Sequence, residues 1–269
     1  MSDVQVITTA GGCHLFSGCG FPAPSYQDFL FEPIFTIGRF QFTKPILLIL
    51  LSMAIVVVFF ALAFWKPKPV PRGLQNLAEL GILAVRDQIL RPQLGSKGDR
   101  YLPFLVSLFF FIWLMNIFEL IPPILFPATS KYAVPLALTI IVWVTYITIG
   151  IRHQGPIGYF KNMAVPQGAP WWILPLLSPI ELLSNIIVRP FTLSIRLFAN
   201  MLAGHLLLLV FSAATWYLLS PTIGLLFSAV SFIVVLLVTG LEVLITLLQA
   251  FIFTTLTAFY ISDALESAH

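Results

Sequence analysis

Apolar residues run along this chain in blocks far longer than a globular core needs, and short polar breaks separate them. The first block, Pro45 to Trp65, ends in Lys66-Pro67-Lys68-Pro69-Val70-Pro71-Arg72, a basic stop broken by proline. Over residues 73–92 the pattern takes a helical period. Leu74, Leu77, Ala78, Ile82, Val85 and Ile89 recur at helical spacing, with Gln75, Asn76, Glu79, Arg86 and Asp87 between them. This predicts an amphipathic helix at the membrane interface, although a soluble connector helix has the same signature. Tyr101 to Ile121 and Ala133 to Ile151 read as the second and third spans. Pro122-Pro123 and a loop around Lys131 join them, and a basic loop from Arg152-His153 to Lys161 follows.

The last two blocks differ in length. Residues 171–219 are nearly all apolar, with Pro175, Pro179 and Pro190 as breaks, and residues 222–261 are apolar without proline. Forty helical residues extend about 60 Å, against a hydrocarbon core of about 30 Å. Each block therefore divides into two short helices or lies strongly tilted. The scarcity of turn residues and charges in 222–261 favours a tilted helix, with Ser220-Pro221-Thr222 as the hairpin turn. The expected fold is an all-α membrane protein. It has about five crossing helices plus one interfacial amphipathic helix, and the last two crossings form a long tilted hairpin. Because basic breaks stay in the cytoplasm, Lys66–Arg72 and Arg152–Lys161 put the N-terminus outside and the C-terminus inside. Residues 1–44 then form an extracytoplasmic segment, and residues 45–265 form one helical membrane domain without internal repeat.

Composition agrees with the pattern. The chain is 59% hydrophobic and 9% charged, with mean hydropathy +0.98, where soluble domains carry roughly 25% charge. The apolar/polar alternation of a membrane β-barrel is absent. A net charge of +3 reflects loop bias and gives no nucleic-acid surface. Residues 1–30 are polar and turn-rich, unlike a cleavable signal peptide. Cys13 and Cys19 lie with His14 in Cys13-His14-Leu15-Phe16-Ser17-Gly18-Cys19-Gly20, too few ligands for a metal site. A small disulfide loop and two unpaired thiols both remain open.

Six ionisable residues fall inside the predicted spans: Glu119, Glu181, Arg189, Arg196, His205 and Glu242. Such residues usually face a cavity or partner and mark ion paths. Arg196 is the sharpest of them. A guanidinium near mid-bilayer costs roughly 2.5–3.5 kcal/mol on insertion scales and cannot escape by deprotonation. An opposing carboxylate is the expected compensation. At about 100° per residue, Arg189, Thr192, Arg196 and Asn200 share a face, and Glu181 lies about 60° from it. His205 lies nine residues past Arg196, so it points to the opposite side about 13 Å further along. Counted from the hairpin turn, His205 and Glu242 come to similar depth, which predicts a His–carboxylate pair suited to proton relay. Gln249 shares a face with Glu242, and Asn116 lies one turn before Glu119. Duller readings exist for each: Arg189 snorkels to the headgroups, Glu119 reaches the interface, and Gln249 makes a helix–helix hydrogen bond.

The run Arg189-Pro190-Phe191-Thr192-Leu193-Ser194-Ile195-Arg196-Leu197-Phe198-Ala199-Asn200-Met201 resembles subunit a of F-type ATP synthases. So do Leu247-Leu248-Gln249-Ala250-Phe251-Ile252-Phe253 and Met115-Asn116-Ile117-Phe118-Glu119-Leu120-Ile121-Pro122. The likeness covers roughly residues 45–265. The N-terminal Cys-containing part and the Lys66–Arg72 linker look like the actinobacterial form. The resemblance implies a non-catalytic, proton-conducting stator subunit in a bacterial plasma membrane. Its partners would be a rotating ring of c subunits, the b-subunit peripheral stalk and the rest of the complex, with no cofactor. It also implies that Arg196 is the essential arginine and that Asn200 and Gln249 match the family's asparagine and glutamine. An acid and an imidazole stand at the positions of His205 and Glu242, in an order also familiar in the family. Protons would enter from outside past Glu119, Asn116, His205 and Glu242, and leave inward near Glu181.

Other classes fit less well. A secondary transporter binding an anion on Arg196 calls for internal repeats. Neither His-Glu-x-x-His nor Gly-x-Ser-x-Gly occurs, as a membrane metalloprotease or serine enzyme would need. A pure scaffold leaves Arg196 unexplained.

Overall fold

In the computed structural model, the structure describes residues 35–37, 40–121, 128–164, 173–219 and 223–265. The expected Cys13–Cys19 loop, the Pro122-Pro123 break and the Ser220-Pro221-Thr222 turn lie outside the described residues. A short antiparallel pair of strands, β1 (Phe35–Ile37) and β2 (Phe40–Phe42), precedes the helices. The sequence pattern gave no signal for it.

The first crossing is α1 (Lys44–Ala63), a run of Leu, Ile, Val and Phe whose outer faces stay exposed for lipid. It stops just before the proline-broken basic linker, where proline removes backbone donors. The amphipathic segment is α2 (Leu74–Val85), a π-turn over Arg86–Leu90 and the short α3 (Arg91–Leu94). Ala78, Val85 and Ile89 of its predicted apolar side are buried, whereas Leu74 and Leu77 are exposed. From Arg86 onward the wider π-turn shifts the register so that the adjacent Ile89 and Leu90 are both buried.

The second crossing is α4 (Leu102–Ile117), which tightens into a 3-10 turn over Phe118–Leu120. The third is α5 (Ala133–Gln154), followed by α6 (Pro156–Ala164) along the basic loop. The fourth is a continuous 44-residue helical run from Leu174 to Tyr217. It consists of α7 (Leu174–Leu183), a π-turn (Ser184–Val188) and α8 (Arg189–Tyr217). The fifth, α9 (Gly224–Leu265), has 42 residues.

Neither long stretch divides. At 1.5 Å per residue each exceeds about 60 Å, so crossing a core of about 30 Å requires strong tilt. Helices α8 and α9 pack as an antiparallel pair and carry the most extensive helix–helix contact in the structure. Ser228 and Ser231 of α9 donate to the carbonyls of Thr215 and Phe211 on α8. Leu105, Ile112 and Met115 of α4 meet Leu197 and Met201 of α8 and Ala250 and Ile261 of α9 in the core. This packing fixes which faces of α8 turn inward and which turn out.

A candidate ion path along the long helix pair

The first polar cluster forms where α4 ends. In a 3-10 turn, positions three apart eclipse, and the tightening at Phe118–Leu120 brings Asn116 and Glu119 to one side, both fully buried. The Thr129 hydroxyl donates to Asn116 Oδ1 at 2.7 Å. His205 Nδ1 lies 3.3 Å from Glu119 Oε1, within ion-pair range. Glu242, 2% exposed, rests against Gly204, where an added Cβ would stand 1.9 Å from Glu242 Oε1.

The carboxylate seen beside the His205 imidazole is that of Glu119, where the sequence led to an expectation of Glu242. The imidazole faces Glu119, and Glu242 approaches the helix one residue earlier, at Gly204. The hairpin count set the depth correctly but said nothing of α4, which supplies the carboxylate. Asn116 Nδ2, both oxygens of Glu119 and Glu242 Oε2 are buried without a hydrogen-bonding partner among the described residues. Each such atom costs about 1–3 kcal/mol, and native proteins meet that cost with ordered water. Four together concentrate unpaired polar atoms at one place among the helices.

The second feature is Arg196 itself. The contact of Gly204 with Glu242 sets the antiparallel register, so Arg196, eight residues earlier, stands level with about residue 250 of α9. Gln249 lies at that depth and is buried. Arg196 is exposed, as are Thr192, Ile195, Ala199 and Asn200 around it. Leu193, Leu197 and Met201 on the other side are buried. Arg196 makes no ion pair or side-chain hydrogen bond with any described residue. The opposing carboxylate expected from the sequence is therefore not among the described residues of this chain.

The third feature lies on the far side of Arg196 from His205. Asn185, in the π-turn, donates from Nδ2 to Glu181 Oε1 at 3.4 Å and accepts at its backbone carbonyl from the Tyr146 hydroxyl at 3.0 Å. Its Oδ1 is buried and without a hydrogen-bond partner among the described residues, as are Thr139 Oγ1 and Trp143 Nε1 on α5. Arg189 pairs with Asp263 and lies 5.4 Å from the centre of the Tyr260 ring. Arg189, expected to snorkel toward the headgroups, has a described partner in Asp263.

Glu181 and His205 thus lie on opposite sides of Arg196 along one continuous helix, about 22 Å and 13 Å from it by residue count. Asn116, Glu119, His205 and Glu242 come together, Glu181 stands apart with Asn185, and Arg196, Asn200 and Gln249 lie between. The sequence reading missed Thr129, Asn185, Tyr146 and Asp263. Asn185 had a signal, the fourth position after Glu181 in an otherwise apolar run. Among the described residues, no three His, Cys, Asp or Glu side chains gather as a metal set.

Comparison with known proteins adds an independent line. A family model described as ATP synthase A chain matches residues 46–262. A Streptomyces lividans protein named ATP synthase subunit a is 46% identical over 268 residues, covering 98% of this chain and 95% of that one. Proteins of the same name from Frankia alni and Rhodococcus erythropolis are 45% and 39% identical. They cover 91% and 92% of this chain and 86% and 91% of their own length.

Proposed function

The chain belongs to the ATP synthase A chain family, and from that membership we propose that it is the stationary proton-conducting subunit of an F-type ATP synthase. It is a multi-pass bacterial membrane protein of the ATP synthase complex. In this reading it stands beside a rotating ring of c subunits, is held by the b-subunit peripheral stalk, and moves protons without making covalent bonds. The N-terminus lies outside and the C-terminus in the cytoplasm, in keeping with the basic breaks at Lys66–Arg72 and Arg152–Lys161.

The observation that carries the reading is Arg196, an exposed permanent charge in an apolar helix, without a carboxylate partner among the described residues and with a buried polar cluster on either side. Such a charge in a membrane calls for a partner from another chain. A ring carboxylate supplies it and gives the arrangement a cycle. Protons from outside reach Glu119, His205 and Glu242 and pass to the ring carboxylate, which then enters lipid as a neutral group. After nearly a full turn that carboxylate reaches the Glu181–Asn185 side and releases its proton inward. Arg196 favours its ionised form and blocks direct passage between the two half-channels. The membrane potential contributes about 2.3 kcal/mol per charge per 100 mV.

The test is reconstitution. Complex purified through a tag on this chain and placed in liposomes should acidify them on addition of ATP. A chain that purifies without ring subunits and gives no ATP-dependent acidification contradicts the reading.

The close contact at Gly204 gives a second expectation. Gly204→Ala forces the Glu242 carboxylate away from its place, because the new Cβ would lie 2.5 Å from Glu242 Cδ. The rate of ATP-driven acidification per assembled complex should fall several-fold. An unchanged rate would mean that the Glu242 position against α8 has no part in conduction.

A further inference from the structure

Two arginines stand on one face of α8, seven residues apart, yet their surroundings differ. Arg196 is exposed and has no partner among the described residues, whereas Arg189 is tied to Asp263 and lies over the Tyr260 ring. Asp263 is itself firmly placed. Beside it on α9, the Ser262 hydroxyl donates to the Gln93 carbonyl and Gln154 Nε2 donates to the Ala264 carbonyl. The end of α9 is thereby fastened to the segment after α2 on one side and to α5 on the other. Asp263 reaches Arg189 from a fixed backbone.

The electrostatic consequence follows from distance. Seven residues separate the two guanidinium groups by about 10 Å along the axis. At an effective dielectric of about 20, a charge at that distance shifts an equilibrium roughly tenfold. An uncompensated Arg189 would put a second positive field at the Glu181–Asn185 side, where protons leave or enter. It would also hold a ring carboxylate ionised one stop away from Arg196. We propose that Asp263 is a positioning residue for proton transfer: it cancels the charge of Arg189, so that Arg196 remains the sole positive centre on the face that meets the ring. This rests on the stator reading above.

The experiment compares ATP-driven proton pumping in inverted membrane vesicles for wild type, Asp263→Asn, Arg189→Gln and the double variant, with rates taken per assembled complex. Asp263→Asn should slow pumping about tenfold, because Arg189 then stands uncompensated. Adding Arg189→Gln to it should restore pumping to near the wild-type rate. A merely structural latch behaves otherwise, since the double variant lacks the pair as completely as either single one. Equal loss in Asp263→Asn and the double variant, or an unchanged rate in Asp263→Asn, overturns the proposal. An Arg196→Ala control separates the two failures. If it pumps like wild type, the stator reading itself fails. If it is inactive while Asp263→Asn pumps normally, only the role of Asp263 fails.

Discussion

Membranes carrying Arg196→Ala are expected to lose ATP-driven proton pumping and to leak protons passively. Arg196 is an exposed cation on a helix whose neighbouring positions are Phe191, Ile195 and Ala199. A carboxylate about 4 Å from it, at an effective dielectric of about 20, gains about 4 kcal/mol in its ionised form, roughly a thousandfold in equilibrium. Without the guanidinium, the ring carboxylate has no reason to give up its proton between the half-channels, and rotation carries nothing across. The positive barrier between the Glu119–His205 side and the Glu181–Asn185 side also disappears, so a direct leak opens. The helix should survive the change, since Arg196 makes no ion pair or side-chain hydrogen bond with the described residues. The check is the rate of vesicle acidification with ATP, together with the decay of an imposed pH gradient.

Glu119→Gln is expected to reduce pumping roughly a hundredfold, the low end of what a positioned proton donor and acceptor contributes. The side chain is 1% exposed, lies 3.3 Å from His205 Nδ1, and has no hydrogen-bond donor on either oxygen among the described residues. Glutamine keeps the shape but cannot exchange a proton, so the step between the outside and His205 is lost. Glu119→Asp should retain part of the rate. Both variants should assemble normally, because glutamine and aspartate each keep a polar group beside His205. Near wild-type pumping by Glu119→Gln would show that protons reach His205 by another path.

How far the sequence discloses this arrangement depends on the physics at each place. Apolar run length decides the five crossings, because a lipid-facing helix must be apolar over its whole span. The same argument, applied to residues 222–261, favours one long tilted helix, and α9 is indeed continuous. Arg196 stands out because a guanidinium in an apolar run is costly. The hairpin count from Ser220-Pro221-Thr222 brings Glu242 to the level of His205, and the contact at Gly204 agrees.

The Glu119–His205 contact is a different matter. It joins α4 to α8 through tertiary packing and depends on a 3-10 turn whose residues, Phe118, Glu119 and Leu120, carry no turn signal. The π-turns at Arg86–Leu90 and Ser184–Val188 are equally silent, since their sequences suit an α-helix. Asp263 lies just beyond the apolar run 222–261, where a carboxylate carries no cost that marks it, although its partner Arg189 lies within such a run.

In the proposed reading, the exposed side of α8 around Arg196 faces a carboxylate-bearing subunit of another kind. The most direct measurement of that contact is disulfide crosslinking after the chain's two cysteines, Cys13 and Cys19, are replaced by serine. New cysteines would be placed at Thr192, Ile195 and Ala199, which are exposed, and at Leu193, Leu197 and Met201, which are buried. A cysteine beside the ring carboxylate would serve as the partner. The account predicts crosslinks to the ring subunit from the exposed set and none from the buried set. No product from the exposed set, or equal yields from both, would contradict it.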